Sequence, residues 1–327
     1  MKDRILELLR QESGYLSGQE MSTLLGVSRA AVWKAVEALR KEGYTIDSAP
    51  NRGYHLDAPT GRLSAREIAA RLDGHPWAEL VQVLDSVDST NNLAKTLAAQ
   101  GAPAGTVLVA DSQTGGRGRM GRSFVSPPGV GVYLSVILRP EAPPEELMHL
   151  TCAVAEVLCD GIEVASGLRP GIKWTNDLVS GGRKLCGILT ELSLEAESGH
   201  VQYAVVGAGV NCDQTLSDFP PEIRDMAGSL SMLTGKAVSR NTLAAEMIRA
   251  LSRLDGDLVE NRQEWMDRYR RDCVTIGRAV SVSRAGETRW GQAVDVDDRG
   301  ALLVDFGQGP EAVQSGEVSV RGMYGYV

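Results

Sequence analysis

The residues best suited to chemistry lie in one loop rich in glycine and arginine. Between two apolar stretches that predict strands, 106–110 and 130–138, the chain reads Gly-Gly-Arg-Gly-Arg-Met-Gly-Arg over 115–122. Four glycines and three arginines in eight residues cannot pack a core, but they let a ligand approach the backbone closely. The guanidinium groups add fixed positive charge and planar donor forks that suit phosphate or carboxylate. The sequence therefore predicts an anion-binding loop.

This loop has two other interpretations. Gly116, Gly118 and Gly121 satisfy the pattern G-x-G-x-x-G, but a dinucleotide fingerprint requires a helix directly after the glycines. Here the chain passes through 126–129, Ser-Pro-Pro-Gly, into another strand, which excludes that fold. An ordinary exposed hairpin loop stays open on composition alone.

A second polar motif follows about fifty residues later. The segment 172–178, Ile-Lys-Trp-Thr-Asn-Asp-Leu, predicts that Lys173, Asn176 and Asp177 lie at the end of a short strand. Lys184 enters the next strand between two glycines, and this position favours a side chain drawn into a cavity. The alternative is a solvated charge that protects a sheet edge from aggregation.

Composition limits the class of protein. A length of 327 residues predicts two or three domains, and a net charge of −8 argues against general coating of nucleic acid while allowing one local DNA-reading face. The charged first residues and the lack of a run of about 18 apolar residues predict no signal peptide and no membrane span. Five cysteines without a C-x-x-C pair indicate reduced thiols in the cytoplasm, and four scattered histidines argue against a zinc site or a histidine triad.

The N-terminal residues predict a winged helix-turn-helix. The segment 17–20, Ser-Gly-Gln-Glu, has the form of a capping box that begins a short helix. After a glycine turn, Ser28 is placed to cap a longer helix at 29–42. Two short strands, 44–47 and 53–56, then predict a wing. A short helix, a turn and a second basic helix form the motif that reads DNA.

Charge favours DNA as the ligand of this part. Residues 1–62 contain nine Lys or Arg against eight Asp or Glu, a balance of +1 in an acidic chain. The alternative, a small helical domain that binds another protein, stays open. The segment 57–62 is the predicted linker. Polar side chains on the second helix and the wing tip are the candidate DNA contacts: Ser28, Arg29, Lys34 and Arg52.

The remaining elements follow from apolar periodicity. Helices are predicted at 64–72, 93–100, 145–163 and 242–263. Further strands are predicted at 80–84 and 203–210. From residue 274 onward, short strands with glycine turns predict a small β barrel, with strands at 279–282, 290–296, 298–304 and 316–321. Ser89 or Thr90, before the second of these helices, is either a plain N-cap or part of a polar ligand site at a helix N-terminus.

Three segments together carry a family resemblance. The residues Gly116–Arg122, Lys173–Leu178 and Arg183–Leu189 resemble the biotin protein ligases. From Lys2 to about Arg321, the chain resembles the long bifunctional form, which is also a biotin operon repressor. The resemblance implies an α+β protein with three domains. These are a winged helix-turn-helix (1–62), a central class II synthetase-like catalytic domain with a mixed sheet (63–273), and an SH3-like β barrel (274–327).

The resemblance also implies the chemistry and the partners. Biotin would react with ATP to give biotinyl-5′-adenylate and pyrophosphate, and the acyl group would then pass to a lysine of a biotin carboxyl carrier protein. Mg²⁺ would accompany ATP without a fixed metal site in the protein. Operator DNA and a ligand-promoted homodimer would serve repression.

Residue roles are carried over by position. The implied catalytic residues are Lys184, Arg119 and Asp177. The implied biotin-binding residues are Ser89, Thr90, Asn91, Gln113, Arg117, Gly118, Arg119, Lys184 and Gly187. The implied ATP- and adenylate-binding residues are Arg117, Arg119, Arg122, Lys173, Asn176 and Asn211.

Three positions depart from the family pattern. Thr175 stands where Pro is common, Phe124 where Trp is common, and Cys186 where Ala is common. Two further function classes were weighed, a ligand-sensing repressor without catalysis and a lipoate ligase. Lys184 and Asp177 argue against the first class, because a sensor has no need of catalytic residues. The arginine-glycine loop, together with the Lys-Trp-Thr-Asn-Asp motif, argues against the second.

Overall fold

The computed structural model describes residues 1–11, 15–41, 44, 46–49, 52–56, 61–195, 197–284, 287–314 and 319–322. The chain divides into two compact units, Met1–Arg62 and Leu63–Val327. The further division predicted at residue 273 stays a prediction. Parts of four predicted segments lie outside the described residues: Glu42 of the longer helix, Thr45 of the first wing strand, 57–60 of the linker and 316–318 of the last strand.

The first unit contains a helix-turn-helix. Its helices are α1 (Lys2–Gln11), α2 (Gly18–Leu25) and α3 (Arg29–Lys41). Ser17 and Glu20 form the predicted capping box at the start of α2, and Gly26 turns the chain at φ 66°. The apolar faces of the three helices meet in a closed core, with Ile5, Leu6, Leu9, Met21, Val32, Val36 and Leu39 all buried.

A two-stranded wing follows α3. Its strands are β1 (Ile46–Ala49) and β2 (Gly53–Leu56), paired antiparallel. The predicted first strand, 44–47, was placed two residues too early. Gly53 has φ 111°, and a Cβ there would lie 2.2 Å from the Leu16 carbonyl oxygen. The wing can therefore lie against the chain before α2 only with glycine at this position.

The second unit is built on a seven-stranded mixed sheet in the order β3-β4-β5-β9-β8-β7-β6. β3 and β4 are parallel, and the other neighbours pair antiparallel. The strands are β3 (Val81–Leu84), β4 (Val107–Ala110), β5 (Gly131–Leu138), β6 (Gly171–Lys173), β7 (Asp177–Ser180), β8 (Arg183–Leu194) and β9 (Val201–Asn211). β4, β5 and nearly all of β9 are buried, which explains their continuous apolar sequences.

Helices cover both faces of this sheet. They are α4 (Ala65–Leu72), α5 (Thr90–Ala99), α6 (Leu150–Ser166), α7 (Leu230–Thr234), α8 (Arg240–Ser252) and α9 (Arg262–Asp272). The helix α5 packs through Ala94 and Ala98 against Leu108, Ile137 and Val205. Residues of α6, α8 and α9 join the larger core on the other face. No helix among the described residues is long and apolar enough to cross a membrane.

Three predicted helices differ from the structure. The helix predicted at 93–100 begins earlier, at Thr90, and the helix predicted at 145–163 begins only at Leu150, after a short 3₁₀ turn. The single helix predicted at 242–263 is wrong, because the chain forms α8 and α9 with a break between them. The buried Leu254 and Leu258 lie in that break, so their helical spacing was misleading.

The last part of the second unit is a five-stranded antiparallel sheet in the order β13-β12-β11-β10-β14. Its strands are β10 (Ala279–Arg284), β11 (Glu287–Val296), β12 (Leu302–Asp305), β13 (Pro310–Val313) and β14 (Ser319–Gly322). The sequence missed β13, and the strand predicted at 298–304 begins only at Leu302. Trp174 ties this sheet to the central one, because its indole N–H donates to the Gly300 carbonyl at 3.0 Å.

Candidate active site

The described part of the second unit contains a cavity of about 650 Å³. It lies where β5, β8 and β9 meet the loop 115–124 and the start of α5. Most of the residues predicted for the site line it: Ser89, Thr90, Asn91, Gln113, Arg117, Gly118, Arg119, Arg122, Lys173, Asn176, Asp177, Lys184 and Gly187. Segments from five parts of the sequence therefore converge on one cavity.

The arginine-glycine loop forms a small hairpin over this cavity. Phe124 N donates to the Gly116 carbonyl at 2.8 Å, and Gly118 N donates to the Arg122 carbonyl at 2.7 Å. A Cβ on Gly116 would lie 2.3 Å from the Phe124 carbonyl oxygen, so glycine is needed for this crossing. The hairpin holds several arginines at the rim of one cavity, which suits an anionic ligand.

Lys184 and Asp177 form an ion pair inside the cavity. Lys184 Nζ lies 2.6 Å from Asp177 Oδ1, and both side chains are largely buried. The alternative of a solvated edge lysine does not fit this environment. Arg119 Nη1 donates to Asn176 Oδ1 at 3.0 Å, and Asn176 Nδ2 donates to the Ile188 carbonyl at 2.8 Å. Burial lowers the pKa of Arg119 below its usual value, although the charge of Asp177 acts in the opposite direction.

The start of α5 is tied to the segment between β4 and the arginine-glycine loop. Ser89 occupies the N-cap position but makes no side-chain capping bond, so the plain N-cap interpretation fails for this residue. Thr90 N donates to Gln113 Oε1 at 2.9 Å, and Gln113 Nε2 donates to Ser126 Oγ at 2.9 Å. Polar groups at a helix N-terminus are thus held in fixed positions beside the cavity.

A buried polar cluster lies behind this wall. Ser135 Oγ, on β5, lies 2.6 Å from Asn91 Oδ1 and 2.8 Å from Thr90 Oγ1. Asn91 Nδ2 donates to Glu191 Oε2 at 2.9 Å. Glu191 also pairs with Lys95, whose Nζ lies 2.8 Å from Oε1.

Glycines open the floor of the cavity. A Cβ on Gly207 would lie 2.0 Å from Asn91 Oδ1, and one on Gly209 would lie 2.5 Å from the Phe124 ring. Phe124 packs over this floor, with Lys184 Nζ 5.9 Å from its ring centroid. The aromatic ring that replaces the common Trp therefore lies directly above two backbone segments without side chains.

Comparison with known proteins identifies the family. Residues 83–211 match the Biotin/lipoate A/B protein ligase family, residues 2–55 an HTH domain, and residues 275–321 the Biotin protein ligase C terminal domain. The chain is 35% identical over 326 residues to the bifunctional ligase/repressor BirA of Bacillus spizizenii, covering 98% of both chains. The chain belongs to this family of bifunctional ligase/repressors.

Two further relatives agree with this assignment. BirA of Escherichia coli is 31% identical over 326 residues, covering 98% of this chain and 99% of that one. A solved biotin protein ligase from Aquifex aeolicus, in complex with biotin and ATP, is 28% identical with a TM-score of 0.64. It covers 74% of this chain and 98% of its own. The predicted family, the α+β fold with a mixed central sheet, and the biotin ligase and repressor functions are confirmed.

One predicted ligand residue of this ligase/repressor lies outside the cavity lining. Asn211 is buried, and its Nδ2 donates to the Gly228 carbonyl at 2.9 Å. Its Oδ1 accepts from Gln214 Nε2 at 3.2 Å. Asn211 therefore joins β9 to the segment before α7, and its contact with the nucleotide stays a prediction.

The other departures from the family pattern are accommodated. Cys186 is fully buried, and burial raises the pKa of its thiol to about 12, so it is a neutral side chain and no nucleophile. Thr175 is a buried residue of the β6–β7 turn, and its carbonyl accepts from the Tyr269 hydroxyl at 3.3 Å. Neither side chain lines the cavity.

Carboxylates near the cavity are few. Among the described residues, no group of three or more His, Cys, Asp or Glu side chains could hold a metal ion. Asp177 and Asp225 are the carboxylates in the described lining, and Asp177 is paired with Lys184. This donor set fits Mg²⁺ only as an ion carried largely by phosphate oxygens and water.

Sequence reasoning missed several residues of this region. Ser135 and Glu191 carry the polar cluster, and Asn92 Oδ1 accepts from Arg117 Nη1 at 2.8 Å. One signal was present, because Ser135 is the only polar residue in the apolar stretch 131–138. A fully buried hydroxyl in a core strand requires a hydrogen-bond partner, and here that partner belongs to the site.

The first unit presents a polar surface on α3 and the wing. Ser28, Arg29, Lys34 and Arg52 are all exposed, as predicted for DNA contacts. Ser28 also caps α3, because its Oγ accepts from Ala31 N at 3.2 Å. The Arg52 guanidinium lies 4.2 Å from the centroid of the Tyr15 ring. Trp33, which the sequence analysis did not select, is 54% exposed on the same helix.

Proposed function

We propose that the cavity joins biotin to ATP and then transfers the product to a protein. Biotin would lie at the start of α5, beside Ser89, Thr90, Asn91 and Gln113, where fixed polar groups surround a glycine floor. The nucleotide would lie toward the arginine loop, Lys173 and Asn176. The observation that carries this proposal is the convergence of these groups with the Lys184–Asp177 pair in one cavity.

The first step forms an acid anhydride. A carboxylate oxygen of biotin attacks the α-phosphorus of ATP, the bond between the α-phosphorus and the bridging oxygen breaks, and pyrophosphate leaves. Negative charge builds up on the phosphate oxygens as this happens, and preorganised cations stabilise it. Lys184 and Arg119 would stabilise this charge at the α-phosphate. Arg117 and Arg122 would bind the β- and γ-phosphates, which leave as pyrophosphate. Mg²⁺ would supply further charge neutralisation when bound with ATP.

The second step transfers the acyl group. The ε-amine of a lysine on the biotin carboxyl carrier protein attacks the carbonyl carbon of the adenylate, AMP leaves with the C–O bond electrons, and the amine loses a proton. No covalent enzyme intermediate is required, because the mixed anhydride is already activated. Positioning and electrostatic stabilisation then supply the catalysis.

Asp177 has a defined part in this proposal. Its carboxylate holds Lys184 Nζ at 2.6 Å and so directs the ammonium group into the cavity. Of the two roles considered for Asp177, ordering Lys184 and ordering Mg²⁺, the ion pair supports the first.

Repression would require the first unit to bind operator DNA. Ser28, Arg29, Lys34 and Arg52 would contact it, with the longer helix in the major groove. A homodimer promoted by the adenylate would couple the two activities. The five buried free thiols support a reducing compartment, and we propose the cytoplasm.

The decisive experiment measures biotin-dependent exchange of labelled pyrophosphate into Mg·ATP. We expect exchange with biotin and none above background with lipoate. Lipoate-dependent exchange without a biotin signal would overturn the proposal in favour of a lipoate ligase.

A further inference from the structure

Glu191 lies outside the cavity lining but contacts two side chains of that lining, Asn91 and Arg117, and also Lys95. It belongs to β8, and its Oε2 accepts from Asn91 Nδ2 at 2.9 Å. Its Oε1 lies 2.8 Å from Lys95 Nζ and 3.5 Å from Arg117 Nη1. One half-buried carboxylate therefore joins the start of α5 to the arginine loop.

The Glu191 carboxylate, together with the Leu189 carbonyl, which accepts from Asn91 Nδ2 at 3.2 Å, fixes which way the Asn91 amide faces. An ionised carboxylate can only accept hydrogen bonds, so the Asn91 amide must turn its NH₂ group toward Glu191. Asn91 Oδ1 then faces the opposite way, toward Ser135 Oγ at 2.6 Å. Asn91 and Ser135 are both buried, so water does not provide alternative partners.

The orientation of the Asn91 amide also affects Thr90, a residue of the cavity wall. Ser135 Oγ lies 2.8 Å from Thr90 Oγ1, and Thr90 N is bonded to Gln113. Ser135 has one hydroxyl proton, and Asn91 Oδ1, an acceptor, lies closest to it. Reversing the Asn91 amide would place its NH₂ group against that hydroxyl and disturb the hydrogen bonds of Thr90.

Burial raises the pKa of Glu191, but hydrogen bonds from Lys95 and Asn91 and the charges of Lys95 and Arg117 lower it below its usual value. Glu191 is therefore ionised at neutral pH and acts as a pure acceptor. Glu191 Oε2 is the nearer of two fixed acceptors of Asn91 Nδ2, the other being the Leu189 carbonyl. A network with only acceptors at one end has one favoured direction, which removes disorder from the groups at its other end.

We propose that Glu191 is a positioning residue that orients Asn91 and, through Ser135, Thr90 for biotin binding. This inference rests on the proposed placement of biotin at the start of α5. Glu191 itself does not touch the substrate. Its removal should weaken biotin binding more than ATP binding. Asn91 lies 2.9 Å from Glu191, whereas the contact with the phosphate-binding Arg117 is longer, at 3.5 Å, and Arg117 keeps its bond to Asn92 Oδ1 at 2.8 Å.

The test compares two substitutions of Glu191. Glu191→Met keeps the length and removes the acceptor, and it should raise KM for biotin in pyrophosphate exchange about tenfold, the loss expected for one hydrogen bond. KM for ATP and kcat should stay within about twofold. Glu191→Gln keeps an acceptor oxygen for Asn91 and should restore KM for biotin to within about threefold of the unsubstituted protein.

Two controls separate orientation from general damage. Glu311→Gln alters an exposed carboxylate that pairs with Arg289 on the C-terminal sheet, and should leave both KM values unchanged. Ser135→Ala leaves Glu191 intact but breaks the path to Thr90, and should also raise KM for biotin. In the double variant with Glu191→Met, Ser135→Ala should raise KM for biotin by less than it does alone, because both substitutions act through Asn91.

Three results would overturn the positioning role. They are equal loss in Glu191→Met and Glu191→Gln, an equal rise of KM for biotin and ATP, and an unchanged KM for biotin in Ser135→Ala. The last variant decides the matter if Glu191→Met fails to fold. Absence of biotin-dependent exchange in the unsubstituted protein would instead remove the proposed function itself.

Discussion

Lys184 is positioned by neighbours on β7, on its own strand and in the arginine-glycine loop. Its ammonium group is 2.6 Å from Asp177 Oδ1, and a Cβ on Gly187 would lie 3.2 Å from Lys184 Nζ. The carboxylate holds the lysine, and the glycine gives it room beside the Phe124 ring. A cation restrained in this way stabilises developing charge without reorganising during the reaction.

Lys184→Ala should therefore impair chemistry more than binding. We expect adenylate formation to fall at least about a hundredfold, the loss typical of one preorganised donor, while the Kd for biotin changes much less. Single-turnover kinetics and calorimetric biotin titration measure the two effects. Lys236→Ala, at an exposed position outside the cavity lining, is the matched control and should be normal. Near-normal turnover in Lys184→Ala would mean that this lysine is only a charge at the sheet edge and has no catalytic role.

The sequence allowed part of this site to be predicted. The loop arginines and Lys184 were recognisable because three separate segments together resemble the biotin protein ligases, whereas composition alone left an exposed hairpin loop open. Ser135 and Glu191 were not, because each lies singly in an ordinary strand and its partner is distant in sequence. The bond from Asn211 to the Gly228 carbonyl was likewise not visible in the sequence, because the two residues lie in separate segments.

At the level of elements, a charge cluster joins three helices behind the central sheet. Asp160, on α6, lies 2.8 Å from Arg169 Nη1, 2.6 Å from Arg253 Nη2 and 2.6 Å from Arg268 Nη2. Arg253 directly follows α8, and Arg268 belongs to α9. The break between those two helices therefore brings both arginines to one carboxylate. Apolar periodicity cannot reveal such a break, because the buried leucines within it keep a helical spacing.

Asp160→Asn tests this cluster through pH. Burial raises the pKa of Asp160, but hydrogen bonds from Arg169, Arg253 and Arg268 outweigh it and hold the pKa at about 2, below the usual 3.8. A carboxylate with a lowered pKa stabilises the fold when the pH is above the pKa that the group has in the unfolded chain. That stabilisation is lost as the pH falls through the pKa that the group has in the folded protein. We expect the substitution to reduce the free energy of unfolding at pH 7 by about 1–2 kcal/mol, allowing for partial exposure.

Urea unfolding at a series of pH values measures this difference. The difference in the free energy of unfolding between Asp160→Asn and the unsubstituted protein should become smaller as the pH falls from about 4 toward 2. Asp267→Asn, which alters an exposed pair with Arg270 on α9, should change the free energy of unfolding by less than about 0.5 kcal/mol. A gap that stays constant across this pH range would mean that Asp160 contributes through packing and not through its charge.

At the scale of the molecule, the two units differ in net charge. The whole chain carries −8 and residues 1–62 carry +1, which leaves −9 for residues 63–327. An acidic catalytic unit repels DNA, so binding must depend on the small first unit. Its candidate contacts are few, and one such unit should hold a half-site weakly, because affinity for DNA rises with the number of phosphates neutralised.

The last prediction follows from that weakness: biotinyl-adenylate should promote homodimerisation, and only the dimer should bind DNA tightly. Two linked first units add their contacts on two half-sites. The ligand can favour the dimer by ordering the arginine loop in a form that completes a pairing surface. A surface used for pairing would be closed to the carrier protein, so repression and acyl transfer would exclude each other.

Sedimentation at fixed protein concentration should show a shift toward dimer with adenylate. Binding to a palindromic duplex, selected from a random pool with the adenylate-bound protein, should fall steeply with salt. Arg29→Ala combined with Lys34→Ala should abolish DNA binding and leave the dimer intact. A protein that stays monomeric on this duplex, or binds it equally well without adenylate, would be a ligase with an independent DNA-binding unit.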